Sequence, residues 1–339
     1  MTDNVMKKPL SYEPLKLILA NMCLETREKI ALRMLSLQKT NNLIPYTLDS
    51  AHFSEERIFK VDWKHYEKRF FEYNIYHRLS RYEHEPKERD ILSLVLRYIR
   101  DGTRIRKLVY DDLPKGLREK NFKIHIAELS LFHDGNTIPH MIVKKFQKLL
   151  PMIKDSIPLK KVALDYDDET RPLFGEPLIK TSTELTIRFP TPWNVPIGDL
   201  LQNLDNKHII VELRARERWT DRTSRDLIRN VARHWLNTEK QVGSTFTLPH
   251  HDSVFIRNFL LVLVHENQHL SAKLTEISEF GDDFYASCAV IPMNENLEIV
   301  VFGTRYGDAT RSEGVCNSKF AVKMAVKARG STSVPGFFK

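Results

Sequence analysis

Apolar residues recur at helical spacing near the start of the chain. Leu15, Ile18, Leu19 and Met22 share one face of a helix predicted over residues 12–22, and Ile30, Leu35 and Leu37 mark a second over 25–37. Helices this short are marginal alone, so they need each other, a neighbouring domain or a partner. The pattern then changes to short extended runs at 44–48 and 57–61, rich in β-branched and aromatic residues. Residues 66–82 are aromatic and basic by turns. A helix over 88–100, with Ile91, Leu92, Val95, Leu96 and Ile99 apolar, stops at Asp101-Gly102.

From about 120 onward, strand-like and helical runs alternate. Strands are predicted at 122–131, 161–166, 184–189, 208–213 and 244–248, and helices at 141–150, 197–204, 225–236 and 254–270. The strand centres fall roughly 23 to 37 residues apart, an irregular form of the spacing in leucine-rich-repeat arrays. Thr223 and Asp226 form a capping pattern, after which Leu227, Ile228, Val231 and Trp235 lie on one helical face. Strands at 297–302 and 320–326 close the domain. The expected fold class is α/β, a short helical N-terminal module followed by an irregular leucine-rich-repeat-like domain. Its parts are a helical module at 1–44, an extended and helical connecting region at 45–120, the repeat-like domain at 121–329 and a frayed tail at 330–339.

Composition narrows the class. An apolar content of 42% supports a sizeable core, while 28% charged residues and 12 glycines argue against a low-complexity chain. Cys23, Cys288 and Cys316 are few, odd in number and far apart, which fits a reducing compartment rather than a disulfide framework. No apolar run follows Lys7 and Lys8 as a signal peptide requires. The longest apolar run, residues 259–264, is too short to cross a bilayer. The expected location is cytoplasmic or nuclear, with no membrane partner. The net charge is +8, and between Lys60 and Lys120 Lys and Arg outnumber Asp and Glu by 16 to 11. That surplus reads first as a solvated face and second as a nucleic-acid or acidic-partner surface.

One stretch has the form of a catalytic motif. His265-Glu266-Asn267-Gln268-His269 matches His-Glu-x-x-His, in which two histidines one helical turn apart hold zinc and the glutamate polarises bound water. A third ligand is poorly placed: His250 and His251 lie about 14 residues upstream, roughly 21 Å along a helix. Glu276 and Glu279 fall two turns past His269 if the helix runs on. The stretch therefore reads as the polar end of a helix, with a zinc metalloprotease the least favoured alternative. The acidic run 165–169 lacks the glycine and closing glutamate of a calcium loop and reads as a turn after a strand. The arginines between 214 and 233 flank a capped helix as an ordinary basic face. Gly-x-Gly-x-x-Gly, Gly-x-Ser-x-Gly and Gly-Lys-Ser/Thr patterns do not occur. We expect no catalytic residues, no cofactor and no enzymatic activity.

The segment Pro9-Leu10-Ser11-Tyr12-Glu13-Pro14-Leu15-Lys16-Leu17-Ile18-Leu19-Ala20-Asn21-Met22, with Arg27, Ile30, Ala31, Leu32, Arg33 and Leu37 after it, resembles an F-box, though with Pro and Leu in reversed order. Further stretches at 45–50, 176–181, 200–213, 235–246 and 291–294 resemble a large nematode-type family of uncharacterised proteins. In that family an F-box-like segment precedes a long C-terminal domain of unknown function. The resemblance implies docking of the N-terminal helices on the adaptor of an SCF ubiquitin ligase, and an unknown protein target on the C-terminal domain. Pro9, Leu10, Leu15, Ile18, Leu19 and Met22 would supply the docking patch. A nucleic-acid binder acting through residues 60–120 is the runner-up.

Overall fold

The structure is a computed structural model. It describes residues 12–22, 24–53, 59–62, 96, 98–113, 117, 120–131, 139–153, 159–189, 200, 204–213, 220–250, 252–276, 287–306 and 320–331. The chain divides into two compact units, Met1–Leu159 and Lys160–Lys339.

The first unit opens with three short helices, α1 (Tyr12–Asn21), α2 (Leu24–Arg33) and α3 (Leu35–Leu43). Strands β1 (Thr47–Phe53), β2 (Phe59–Asp62), β3 (Arg104–Tyr110) and β4 (His125–Leu131) follow, then helix α4 (Pro139–Ile153). The strands lie in the order β2-β1-β3-β4; β1, β3 and β4 are parallel, and β2 is antiparallel to β1. Their registers align three buried rows: Leu48, Ile105 and Ile126; Ala51, Leu108 and Leu129; Phe53, Tyr110 and Leu131. Helix α4 buries Ile142, Phe146, Leu149 and Ile153 at helical spacing, and the Tyr110 hydroxyl donates to its Lys145 carbonyl at 2.7 Å.

The second unit continues with β5 (Lys161–Asp165), a 3-10 turn (Arg171–Gly175), the single-turn α5 (Pro177–Lys180), β6 (Glu184–Phe189) and β7 (His208–Leu213). Helix α6 (Asp221–Thr238), β8 (Thr245–His250), α7 (Ser253–Glu266) and a 3-10 turn (Gln268–Leu270) come next. Strands β9 (Lys273–Glu276), β10 (Ser287–Pro292), β11 (Leu297–Arg305) and β12 (Phe320–Ala328) complete it. Strands β5 to β8 are parallel and each lies beside the one before it. Beyond β8 the order is β12-β11-β10-β9, all antiparallel. Alternate strand positions are wholly buried, among them Val162, Leu185, Ile209, Phe246 and Met324. Helix α6 buries Leu227, Ile228, Val231, Ala232 and Trp235, and α7 buries Phe255, Ile256, Phe259, Leu260 and Leu263. Truncating Trp235 to Ala would remove about 3–5 kcal/mol by the usual cost of deleting a large core side chain.

Several boundaries depart from the sequence pattern. The predicted helix over 25–37 is two helices, broken at Met34, and α3 runs on to Leu43. Strand β3 was not expected, because its buried positions step by three and then two residues instead of alternating. The α6 cap is Thr220, whose side chain accepts from the Thr223 backbone N–H, so the Thr223–Asp226 pattern sits one turn inside the helix. Helix α7 ends at Glu266 and not at 270, and β9 and β10 were also missed. Within the predicted helix at 88–100, Leu96 and Tyr98 are helical and Ile99 and Arg100 are not. Gly102 turns the chain into β3 at φ +78°, where an added Cβ would meet Pro45 at 3.1 Å. The aromatic, basic stretch at 66–82, most of the helix at 197–204 and the tail after 331 lie outside the described residues.

Candidate functional site

The apolar residues of α1 to α3 divide into buried and exposed sets. Leu19, Leu24, Ala31 and Ile44 are buried. Behind them sits Arg27, itself 1% exposed. The end of α3 leaves carbonyls without helical partners, and Arg27 donates to Asn41 O at 2.9 Å, Ile44 O at 2.5 Å and Pro45 O at 2.8 Å, and to the Asn41 side chain at 2.5 Å. Its guanidinium lies 4.1 Å from the centre of the Tyr46 ring, with Arg100 at 4.9 Å. Burial lowers the Arg27 pKa; burial and then the hydrogen bond to Glu28 raise that of Tyr46. The helices are thus latched to the start of β1.

By contrast, Leu17 is 67% exposed, Ile18 41%, Leu32 66%, Met34 50%, Leu35 74% and Leu43 72%. Of the residues predicted to dock a partner, Ile18 is exposed, Leu15 and Met22 are half-buried and Leu19 belongs to the core. Pro9 and Leu10 lie outside the described residues. The exposed Leu17, Leu32, Met34 and Leu35 were not among the residues expected to dock a partner. The signal for Leu17 was available: it stands two residues, about 200°, from both Leu15 and Leu19, so no single stripe can bury all three.

The His-Glu-x-x-His stretch is divided by the end of α7. His265 lies in the last helical turn and His269 in the following 3-10 turn, both exposed. Glu266 is paired with Arg229 of α6, whose Nε donates at 2.7 Å. Asn267 donates its side chain back to Leu263 O at 2.8 Å, and Ser271 at φ +60° turns the chain away. His250 is fully buried on β8, stacked 4.3 Å from Phe255. Among the described residues, no group of three or more His, Cys, Asp or Glu is placed to hold a metal ion. The run 165–169 forms a turn in which the Thr170 hydroxyl donates to Asp165 O at 2.8 Å. Cys288 is buried, which pushes its thiol up to about 11.

Strands β5 to β8 also present a polar side. Register places Lys161, Glu184, His208 and Thr245 in one row, with Lys161 and Glu184 paired at 3.1 Å and His208 Nδ1 2.9 Å from the Thr245 hydroxyl. A second row, Asp165, Arg188 and Glu212, is tied by Arg188 Nε to Glu212 at 3.3 Å, and the Tyr306 hydroxyl donates to the other oxygen of Glu212.

Residues 111–251 match a family described as a domain of unknown function (DUF3557). The match takes in α4 to α6 and β4 to β8, and it supports placing this part of the chain with an uncharacterised family. No curated protein and no solved structure matches the chain. Among the described residues, no helix is long and apolar enough to cross a membrane.

Proposed function

We propose that the chain is a non-enzymatic protein-binding adaptor. Helices α1 to α3 dock on the adaptor subunit of an SCF-type ubiquitin ligase, and the parallel-stranded region holds a target protein. The observation that carries this reading is the exposure of Leu17, Ile18, Leu32 and Leu35 on three short helices, and of Met34 between two of them, while Leu19, Leu24 and Ala31 of the same helices are buried. Exposed large aliphatic side chains are available to a partner, and in such docking a few central anchors supply most of the affinity. The leucine-rich-repeat-like reading of β5 to β8 is supported by consecutive parallel strands that each lie beside the last. Kinship with the nematode-type F-box-like family, and with it a cytoplasmic or nuclear location, belongs to the same proposal. Its support is the domain of unknown function matched at 111–251.

The test is co-purification of the full chain with an SCF adaptor. The Leu17→Asp, Ile18→Asp double variant should keep its fold and lose the adaptor, since exposed substitutions typically shift stability by no more than about 0.5 kcal/mol. Leu19→Asp should instead cost more than about 3 kcal/mol, by burying a carboxylate in the core. Adaptor capture retained by the double variant, or no capture by the folded native chain, ends this reading.

A further inference from the structure

The geometry points to the polar side of β5, β6, β7, β8 and β12 as the surface that receives an acidic, extended peptide segment of the target. This rests on the protein-binding reading above and names the chemistry of what is bound. Lys161, Ala163, Glu184, Thr186, His208, Ile210, Thr245 and Lys323 on this side are half-buried or exposed, with Thr247, Pro249, Ala321 and Ala325 of the same side buried beside them, while the positions alternating with them are buried. Lys161, Lys207 and Lys323 all act electrostatically on His208, and Lys323 acts on Lys327. Against these four lysines stand Glu184, paired with Lys161, and Glu298, which is buried and accepts from the Gly330 N–H. The row Asp165, Arg188 and Glu212 closes largely on itself. The balance near His208 is therefore positive.

Five neighbouring strands span about 19 Å, which an extended peptide of about six residues matches. Half-buried Thr186 offers a hydroxyl between the charges for a peptide backbone, and the Thr245 hydroxyl lies beside them, bonded to His208 Nδ1. A nucleic acid fits less well: at the described positions of this side, β5 to β8 carry no Phe, Tyr or Trp ring for stacking, and Glu184 would face phosphates. His208 adds a signature. Burial, then Lys207, hold its pKa below the ordinary 6.5; Lys323 and Lys161 act in the same direction and Glu184 opposes them. A carboxylate bound beside it raises that pKa. Binding therefore takes up a proton, and affinity rises as pH falls towards the pKa of free His208.

The experiment uses the full chain without any adaptor, with a fluorescein-labelled decapeptide of alternating Glu and Ser followed by anisotropy at low ionic strength. Expected are saturable binding, a loss of about tenfold or more in Lys323→Glu, and tightening towards pH 6 that is absent in His208→Gln. Lys144→Glu, on an exposed turn of α4, should change nothing. If Lys323→Glu fails to fold by circular dichroism, Lys323→Gln with Lys207→Gln serves in its place. The proposal is overturned if the peptide does not bind, if it binds these lysine variants as well as the native chain, or if a single-stranded oligonucleotide of equal charge binds more tightly and displaces it. Peptide binding that survives Leu17→Asp, Ile18→Asp while adaptor capture is lost supports both readings. Adaptor capture with no peptide binding overturns this one alone.

Discussion

A guanidinium offers five N–H donors in a fixed plane, and Arg27 directs its donors to four acceptors at and just beyond the end of α3. Arg100 approaches the same region, donating to Asn41 O at 2.9 Å and Ile44 O at 3.4 Å. Two arginines therefore share the same carbonyls over one tyrosine ring, and the negative end of the helix dipole favours both. Arg27→Met should lower stability by about 3 kcal/mol, since the Asn41 side chain and Pro45 O lose a donor while buried or half-buried. Arg100→Met should cost about 1 kcal/mol, the ordinary net worth of a hydrogen bond. The double variant should lose more than the sum, because each arginine partly covers for the other. Urea denaturation of the three variants measures this; strict additivity would mean that the arginines act separately. Lys at position 27 should not rescue, as a single ammonium cannot reach four acceptors arranged around a plane.

At the scale of elements, legibility followed the regularity of burial. Strands β6 and β7 were placed residue for residue because Leu185, Ile187 and Phe189 alternate with half-buried neighbours, as do Ile209 and Val211 with His208 and Ile210. Strand β3 breaks that alternation between Ile105 and Leu108, so its signal cancels in any period-two reading. The break at Met34 has no local mark, since Leu32, Arg33, Met34 and Leu35 are all good helix formers; separating α2 from α3 lets the end of α3 return to Arg27. The candidate docking patch was legible as apolar helices, but not which side of them faces outward, because the run Leu15 to Leu19 is apolar nearly all round. The start of α6 gives a sharp test. Two threonines three residues apart compete for the cap, and the structure assigns it to Thr220, with Thr223 at the third helical position. Thr220→Ala should destabilise by about 1 kcal/mol, the usual worth of a threonine cap, whereas Asp226→Ala should be close to neutral. Thermal unfolding of the two variants distinguishes the assignments, and the reverse order of effects would restore the cap to Thr223.

For the whole molecule, the segment matched to the domain of unknown function and the folded units do not coincide. The match runs from 111 to 251, so it begins just after β3 and stops just after β8. Strand β4 pairs with β3 along its length, from Arg104 and His125 to Tyr110 and Leu131. Strand β8 pairs with β12 from Thr245 and Ala325 to His250 and Phe320. Cutting the chain at the limits of the match removes both partners. It strips the cover from Phe246 and Leu248, whose neighbours Met324 and Val322 are fully buried, and opens two strand edges of the kind that template aggregation. It also removes α7, with buried Phe255, Ile256, Phe259, Leu260 and Leu263, and so a large part of the apolar area that offsets the entropy of ordering. Expressed alone, 111–251 should therefore lack a cooperative thermal transition and should aggregate, while 160–331, which keeps β5 to β12 with α5 to α7, should unfold cooperatively. Calorimetry with hydrogen exchange on both segments decides the matter. Cooperative unfolding of 111–251, with β8 amides protected, would show that its core does not depend on β12 and that the acidic-peptide surface must be sought without Lys323.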